Sequence, residues 1–332
     1  MQKPENGKFV LSLDFELLWG VRDKRTIESY GENIRGVREV IPGLLDLFSK
    51  YNIHGTFATV GFLFCRNKQE LLSHTPDILP VYSQKKYSPY ENNYIDTIGS
   101  SEEDDIYHYA SSLIKLIQQY PGQEIATHTF SHYYCLEGAS LASFETDLLA
   151  AKHIADAYNI TLQSIVFPRN QYSNEHLAIC KKSGITAYRG NANASIYQPR
   201  NNEKVSIPIR VLRVLDSYIN FTGHNTYHSR ELYKTGMVNI PASSFLWPYS
   251  KKLSALDPVR LNRIKKSLTH AAKNNEVYHL WWHPHNFGVN SKENFGFLEQ
   301  ILKHHQLLHK KYGFESKSMK EIAEEIIATH AA

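Results

Sequence analysis

Apolar and polar positions along this chain fall into blocks that switch between two periods. Phe9 to Phe15 (FVLSLDF) is a short apolar run of strand formers and predicts a buried strand. Between residues 33 and 52, Val37, Ile41, Leu44, Leu45 and Phe48 recur at helical spacing, with Pro42 expected to kink or restart the helix. His54 to Val60 (HGTFATV) predicts a second strand. The chain therefore opens β-α-β, the order of parallel strands joined by crossover helices. Residues 64–100 break the rhythm with Pro76, Pro80, Pro89 and a run of tyrosines, and predict a long insertion. Helices are expected beyond it at 102–119, 141–158, 174–183, 257–274, 291–312 and 318–328, with strands at 123–128, 162–167, 185–189 and 276–282. Asp257-Pro258 reads as an N-cap with proline in the first turn, and Ser318 with Glu321 as a capping box. Residues 192–206 read as a loop, and 207–250 show no clear period. The alternation predicts an α/β fold, a parallel sheet or barrel, in one domain over 1–332.

Composition acts mainly by exclusion. The 37 basic and 33 acidic residues leave a net charge of +4 with no basic tract, so no nucleic-acid partner is expected. Cys65, Cys135 and Cys180 form no CxxC pair, which argues against a disulfide framework or a zinc-thiolate site and for reduced thiols in a cytoplasm. Met1 to Lys8 is polar, without the apolar stretch of a signal peptide, and no run is long enough to span a membrane. The 21 tyrosines and 17 histidines suit carbohydrate and metal chemistry.

Four predicted strand ends carry the candidate chemistry, at the end of a barrel strand where active sites are built. Ser12-Leu13-Asp14-Phe15-Glu16 puts two carboxylates two residues apart, on one face in extended geometry. One can bind a metal ion while the other accepts a proton from water. Thr127-His128-Thr129-Phe130-Ser131-His132 supplies two imidazoles at a spacing suited to a divalent ion. In Phe167-Pro168-Arg169-Asn170-Gln171-Tyr172, Arg169 is placed to orient a carboxylate by a forked contact. Leu280-Trp281-Trp282-His283-Pro284-His285 delivers a histidine suited to general-acid work. Together they make a two-His, one-carboxylate metal site with a base and an acid, an apparatus for attacking an amide carbonyl with activated water.

In order and spacing these segments resemble the polysaccharide deacetylase family, also called NodB-homology or carbohydrate esterase family 4. The resemblance rests on Asp14/Glu16, His128/His132, Arg169 and Leu280/His283, and Gly55-Thr56-Phe57 is similar to the family's ATFF strand. It implies a distorted (β/α) barrel, here with a long insertion near residues 64–100, that hydrolyses an N-acyl, chiefly N-acetyl, group on an amino sugar. It also implies one divalent ion, zinc being expected, on Glu16, His128 and His132. Asp14 would be the base, held by Arg169, and His283 the acid that protonates the leaving amine. The opposite assignment of Asp14 and Glu16 stays open, as does His285 in place of His283. Asn170, Tyr172 and Trp282 are expected to touch substrate, with Tyr133, Tyr134 and Trp247 as further aromatic candidates. Two departures stand out: Phe15 separates the acids, and Phe-Pro-Arg-Asn-Gln replaces the usual Arg-x-Pro-Tyr. The second variant is similar to deacetylase-like proteins of surface-polysaccharide biosynthesis, so a polysaccharide precursor is the expected substrate. Hydrolysis of another amide, such as a cyclic ureide or an N-formyl sugar, and a non-catalytic carbohydrate-binding protein are the alternatives.

Overall fold

The computed structural model describes residues 6–198 and 207–331. The polar start at 1–5 and the part of the expected loop from 199 to 206 lie outside the described residues. Eleven strands form one sheet. They are β1 (Lys8–Phe15), β2 (Gly55–Thr59), β3 (Glu124–Thr127), β4 (Ser164–Ile165), β5 (Ala187–Tyr188), β6 (Tyr227–His228), β7 (Tyr233–Lys234), β8 (Met237–Asn239), β9 (Ser244–Phe245), β10 (Glu276–Trp282) and β11 (Glu315–Ser316). The order across the sheet is β6-β10-β1-β2-β3-β4-β5-β8-β7, with β9 beside β10 and β11 beside β1. From β10 through β8 all neighbours run parallel, and antiparallel β6 and β7 finish the two edges. Parallel strands need crossovers, and helices supply them: Val37–Tyr51, Ser111–Gln118, Leu141–Asp156 and Asn174–Lys182 each join one strand to its neighbour. The sheet curls into the expected distorted (β/α) barrel.

Period-two alternation splits the long strands β1 and β10 between two cores. In β1, Phe9, Leu11, Leu13 and Phe15 pack outward among the helices, and Val10 turns into the barrel with Ala58, Val166, Ala187 and Val277. In β10, Tyr278, Leu280 and Trp282 belong to the outer core and Val277 to the inner one. The bottom of the barrel is thus apolar. Ser12, Asp14 and His279 share the inward face one and two pleats further up.

Several expectations shift. The helical stretch at 33–52 is two helices, Ile27–Arg35 and Val37–Tyr51, and the break falls at Gly36 while Pro42 rides inside the second. Gly36 abuts the loop after β10: a Cβ there would lie 2.1 Å from the Gly288 carbonyl oxygen. The helix expected from 102 begins only at Ser111. The acids before it bind backbone instead, Asp104 accepting from Ser101 N (2.7 Å), Asp105 from Gly99 N (2.7 Å) and Glu102 from Ser112 N (2.9 Å). Asp257 is the first residue of its helix, not the cap, and pairs with Arg260 at 2.8 Å. Ser318 and Glu321 do form a capping box. The stretch without a clear period holds β6 to β9 and a helix, Ile207–Asp216. All three cysteines are buried and unpaired. Among the described residues no helix is long and apolar enough to cross a membrane.

Candidate active site

The inward face of β1 carries Ser12 and then Asp14, and both are met by an arginine from the end of β5. Arg189 sends Nη1 to Asp14 Oδ1 (2.6 Å) and Nη2 to Asp14 Oδ2 (2.8 Å), a bidentate fork, with Nη1 also 3.0 Å from Ser12 Oγ. The hydrogen bonds then run in one sense: Ser12 Oγ donates to His279 Nε2 (2.8 Å), and His279 Nδ1–H donates to Ile240 O (3.0 Å). Burial pushes His279 down to about 3, helped by Arg189, so this relay holds a neutral ring. Burial would raise the Asp14 carboxyl, but Arg189 with His128 and His283 outweighs it and holds the group below its ordinary value. The guanidinium lies 4.0 Å from the Trp281 ring centre, and Nη2 reaches Asn170 Oδ1 at 3.1 Å.

Glu16 follows just after the strand. Its carboxylate meets the histidine pair, and the ligand-capable atoms of Glu16, His128 and His132 lie within 4.8 Å of one another. His128 donates Nδ1–H to Val166 O (2.8 Å), which turns its Nε2 toward Glu16 Oε2, 3.3 Å away. His132 Nε2 is 3.0 Å from the same oxygen. Burial drives His132 down to about 4, while Glu16 stays well below the carboxylate range because His283, His128 and His132 overcome its burial. An ionised carboxylate facing two imidazole nitrogens, that of His132 held neutral by burial, is a donor set that a divalent cation satisfies. These three residues fit one. Gly20 makes room for the Glu16 carboxylate: a Cβ there would lie 1.9 Å from Glu16 Cδ.

The loop that bends the histidines together is strained and braced. Thr129 (φ 64°) and His132 (φ 57°) hold left-handed backbone, as do Leu17 after Glu16 and Arg169. Buried Asp147 ties the loop down, accepting from Phe130 N (2.7 Å), Ser131 N (3.1 Å) and the Ser131 hydroxyl. His283, partly exposed, brings Nε2 to 3.7 Å from Asp14 and 3.6 Å from Glu16. His285 stacks beneath it at 4.9 Å, buried, its Nε2 at 4.0 Å from Glu16. A cleft of ≈ 580 Å³ opens over Asp14, Glu16, both motif histidines, His283 and His285.

Residues 30–188 match the model of the polysaccharide deacetylase family. Over this segment, just under half of the chain, it is similar to that family. The matched segment holds the histidine pair and Arg169 and stops one residue short of Arg189. No curated protein matches the chain. Among solved structures, a Mycobacterium smegmatis protein described as a polysaccharide deacetylase is 13% identical with a TM-score of 0.61, over 99% of this chain and 94% of that one. A Pseudomonas aeruginosa PAO1 protein of the same description is 11% identical, TM-score 0.53, over 96% and 89%. The PuuE allantoinase is 10% identical, TM-score 0.56, over 99% and 94%. At these identities the likeness is one of fold.

The site departs from the sequence expectation at three positions. Arg169 does not reach Asp14. It pairs with Asp23 (2.5 Å) and lies over the Tyr134 ring (3.8 Å), and Arg189 makes the fork in its place. Trp282 is wholly buried against Phe287, and Trp281 lines the cleft. Alternation alone requires this, since 281 and 283 share a face and 282 does not. Tyr172 packs between Phe167 and Tyr188 rather than on the cleft. Tyr133 and Tyr134 are buried as well, whereas Trp247 and Asn170 do line the cleft. Arg189 and His279 were not anticipated. The available signal was a polar side chain, arginine or histidine, on or at the end of each of two largely apolar strands.

Proposed function

We propose that the chain hydrolyses an N-acyl group, chiefly N-acetyl, on an amino sugar of a polysaccharide precursor, as one catalytic domain over 1–332. The convergence of Glu16, His128 and His132 with Asp14 and His283 around one cleft carries the reading. Glu16 and the two imidazoles hold a divalent ion, zinc by its affinity for this donor set. When bound it supplies Lewis-acid polarisation of the amide carbonyl and activation of water.

The chain's own groups do the rest. Asp14, kept ionised by Arg189, takes the proton of the attacking water. His283 is half-open to the cleft and protonates the departing amine, while His285 lies buried behind it. Trp247 and Trp281 offer ring faces to the sugar. Arg189, rather than Arg169, positions the base, and the Ser12–His279 relay keeps the guanidinium in place.

The test is metal analysis together with acyl-anion release from N-acetyl and N-formyl amino sugars and ring opening of a cyclic ureide. His132→Ala should lose metal and turnover together. Asp14→Asn should keep metal and lose turnover, and His283→Ala should keep metal and lose roughly 10²–10⁴-fold in rate. Metal lost in Asp14→Asn would exchange the roles of the two acids, and a loss confined to His285→Ala would move the acid. No turnover of any of these substrates by metal-loaded protein would end the enzymatic reading.

A further inference from the structure

A surface helix ordinarily buries its apolar stripe and turns its charged face to solvent. The helix Ile207–Asp216 is inverted. Arg210, Arg213 and Asp216, at successive steps of three, face inward and line a cavity of ≈ 430 Å³ that shares Trp247, Trp281 and His283 with the hydrolytic cleft. Ile207, Val211 and Leu215, at successive steps of four, form the outward stripe with Leu212 beside it, and all four are exposed. Ile219 and Phe221 carry exposed apolar surface on past the helix. Ile207 is 75% exposed, Ile219 64% and Val211 50%. None of the six joins an apolar core among the described residues. The helix is fastened by polar bonds instead. Arg213 Nε donates to Ile196 O (2.7 Å), and Asp216 accepts from Tyr197 Oη (2.9 Å), Thr222 Oγ1 (2.7 Å) and Thr222 N (3.1 Å).

Exposed apolar surface gathered in this way marks a protein or membrane interaction site. Composition favours the membrane. Protein hot spots are rich in Trp, Tyr and Arg and poor in Leu and Val. These six side chains are Ile, Val, Leu and Phe, which suit the acyl boundary of a bilayer. Charge agrees. Between residues 207 and 230 the one acid is Asp216, which is buried, whereas Arg210, one turn on from Ile207 at the edge of the stripe, and Arg230 are exposed. The exposed charge of the segment is therefore positive, complementary to anionic headgroups. We propose that the helix Ile207–Asp216 docks this protein on an anionic phospholipid bilayer, lying in the interface plane without crossing it. The docked helix then stands between bilayer and cavity, a layer about 10–12 Å thick. The inference goes beyond the hydrolase reading and does not depend on it.

Flotation of the full chain with vesicles tests this, comparing equal parts phosphatidylcholine and phosphatidylglycerol with phosphatidylcholine alone. Wild type should float with the mixed vesicles, less as salt rises. The double variant Val211→Ser, Leu215→Ser should bind them about 10–100-fold more weakly, because it removes two of the apolar side chains that the bilayer would cover. Both side chains are exposed, so the variant should keep the wild-type melting temperature. Leu307→Ser, at an exposed position on the helix Ser291–Tyr312, should keep full binding. No flotation, flotation indifferent to phosphatidylglycerol, or flotation undiminished in the double variant overturns the proposal. A wild-type dimer that the same double variant turns monomeric, by light scattering, overturns it too and assigns the stripe to a second copy of the chain. Flotation without turnover of any amino sugar leaves the docking face standing while the hydrolase reading fails, and turnover without flotation does the reverse.

Discussion

Arg189 carries a buried charge into the barrel and meets the Asp14 carboxylate, which neutralises it. Arg189→Met removes a partner from a buried ion pair and leaves Asp14 uncompensated, a change that typically costs about 3–5 kcal/mol. Urea unfolding measures it. The same variant loses the strongest influence lowering the Asp14 pKa, so the acid limb of the kcat/KM profile should move to higher pH. An unmoved limb would mean that Asp14 is not the base. Arg189→Lys restores the charge without the fork and should recover only part of both losses. Gly20 is a residue-scale device of another kind. It serves by having no side chain, since a Cβ would fall 1.9 Å from Glu16 Cδ. Gly20→Ala should displace that carboxylate and weaken metal binding about 10–100-fold, the range seen when ligand positioning is disturbed, with the fold retained. Metal titration of the purified variant decides this.

At the scale of elements, the histidine pair depends on a loop that local preference alone does not favour. Thr129 and His132 take left-handed backbone, and the buried Asp147 side chain on helix Leu141–Asp156 accounts for the amides this bend leaves without sheet partners. Burial pushes Asp147 up to about 6 despite those donors. A carboxyl whose folded pKa exceeds its unfolded one binds more protons folded, so its contribution makes stability fall as pH rises from about 4 to 6. Asp147→Asn should flatten that slope and, with one acceptor lost, destabilise by about 1–3 kcal/mol. Thermal melts of both proteins across that pH window check the sign. The opposite slope would mean that the carboxylate is stabilised, not strained, by its site.

For the whole molecule, Glu16 sits after β1 and both histidines sit after β3, so a cation there fastens separate strand ends of the sheet. A ligand binding only the folded chain adds about 2.7 kcal/mol at a hundredfold excess over Kd. The divalent ion should therefore raise Tm in wild type and leave His132→Ala unmoved, by calorimetry with and without chelator. The strands that carry Asp14, His128 and His283 and the donor chemistry of Glu16 and His132 were determined by the sequence itself. Each depends on a local period, a strand of alternating or wholly apolar residues ending in polar ones. The break at Gly36 was not legible, because it answers to Gly288, far along the chain. Nor was the choice of Arg189 over Arg169, since Asp14 and Arg189 lie 175 positions apart and meet only through the register β1-β2-β3-β4-β5. Local spacing decides which side chains share a face. Which faces converge on one point is decided by strand order and curl, and no window of the sequence contains those.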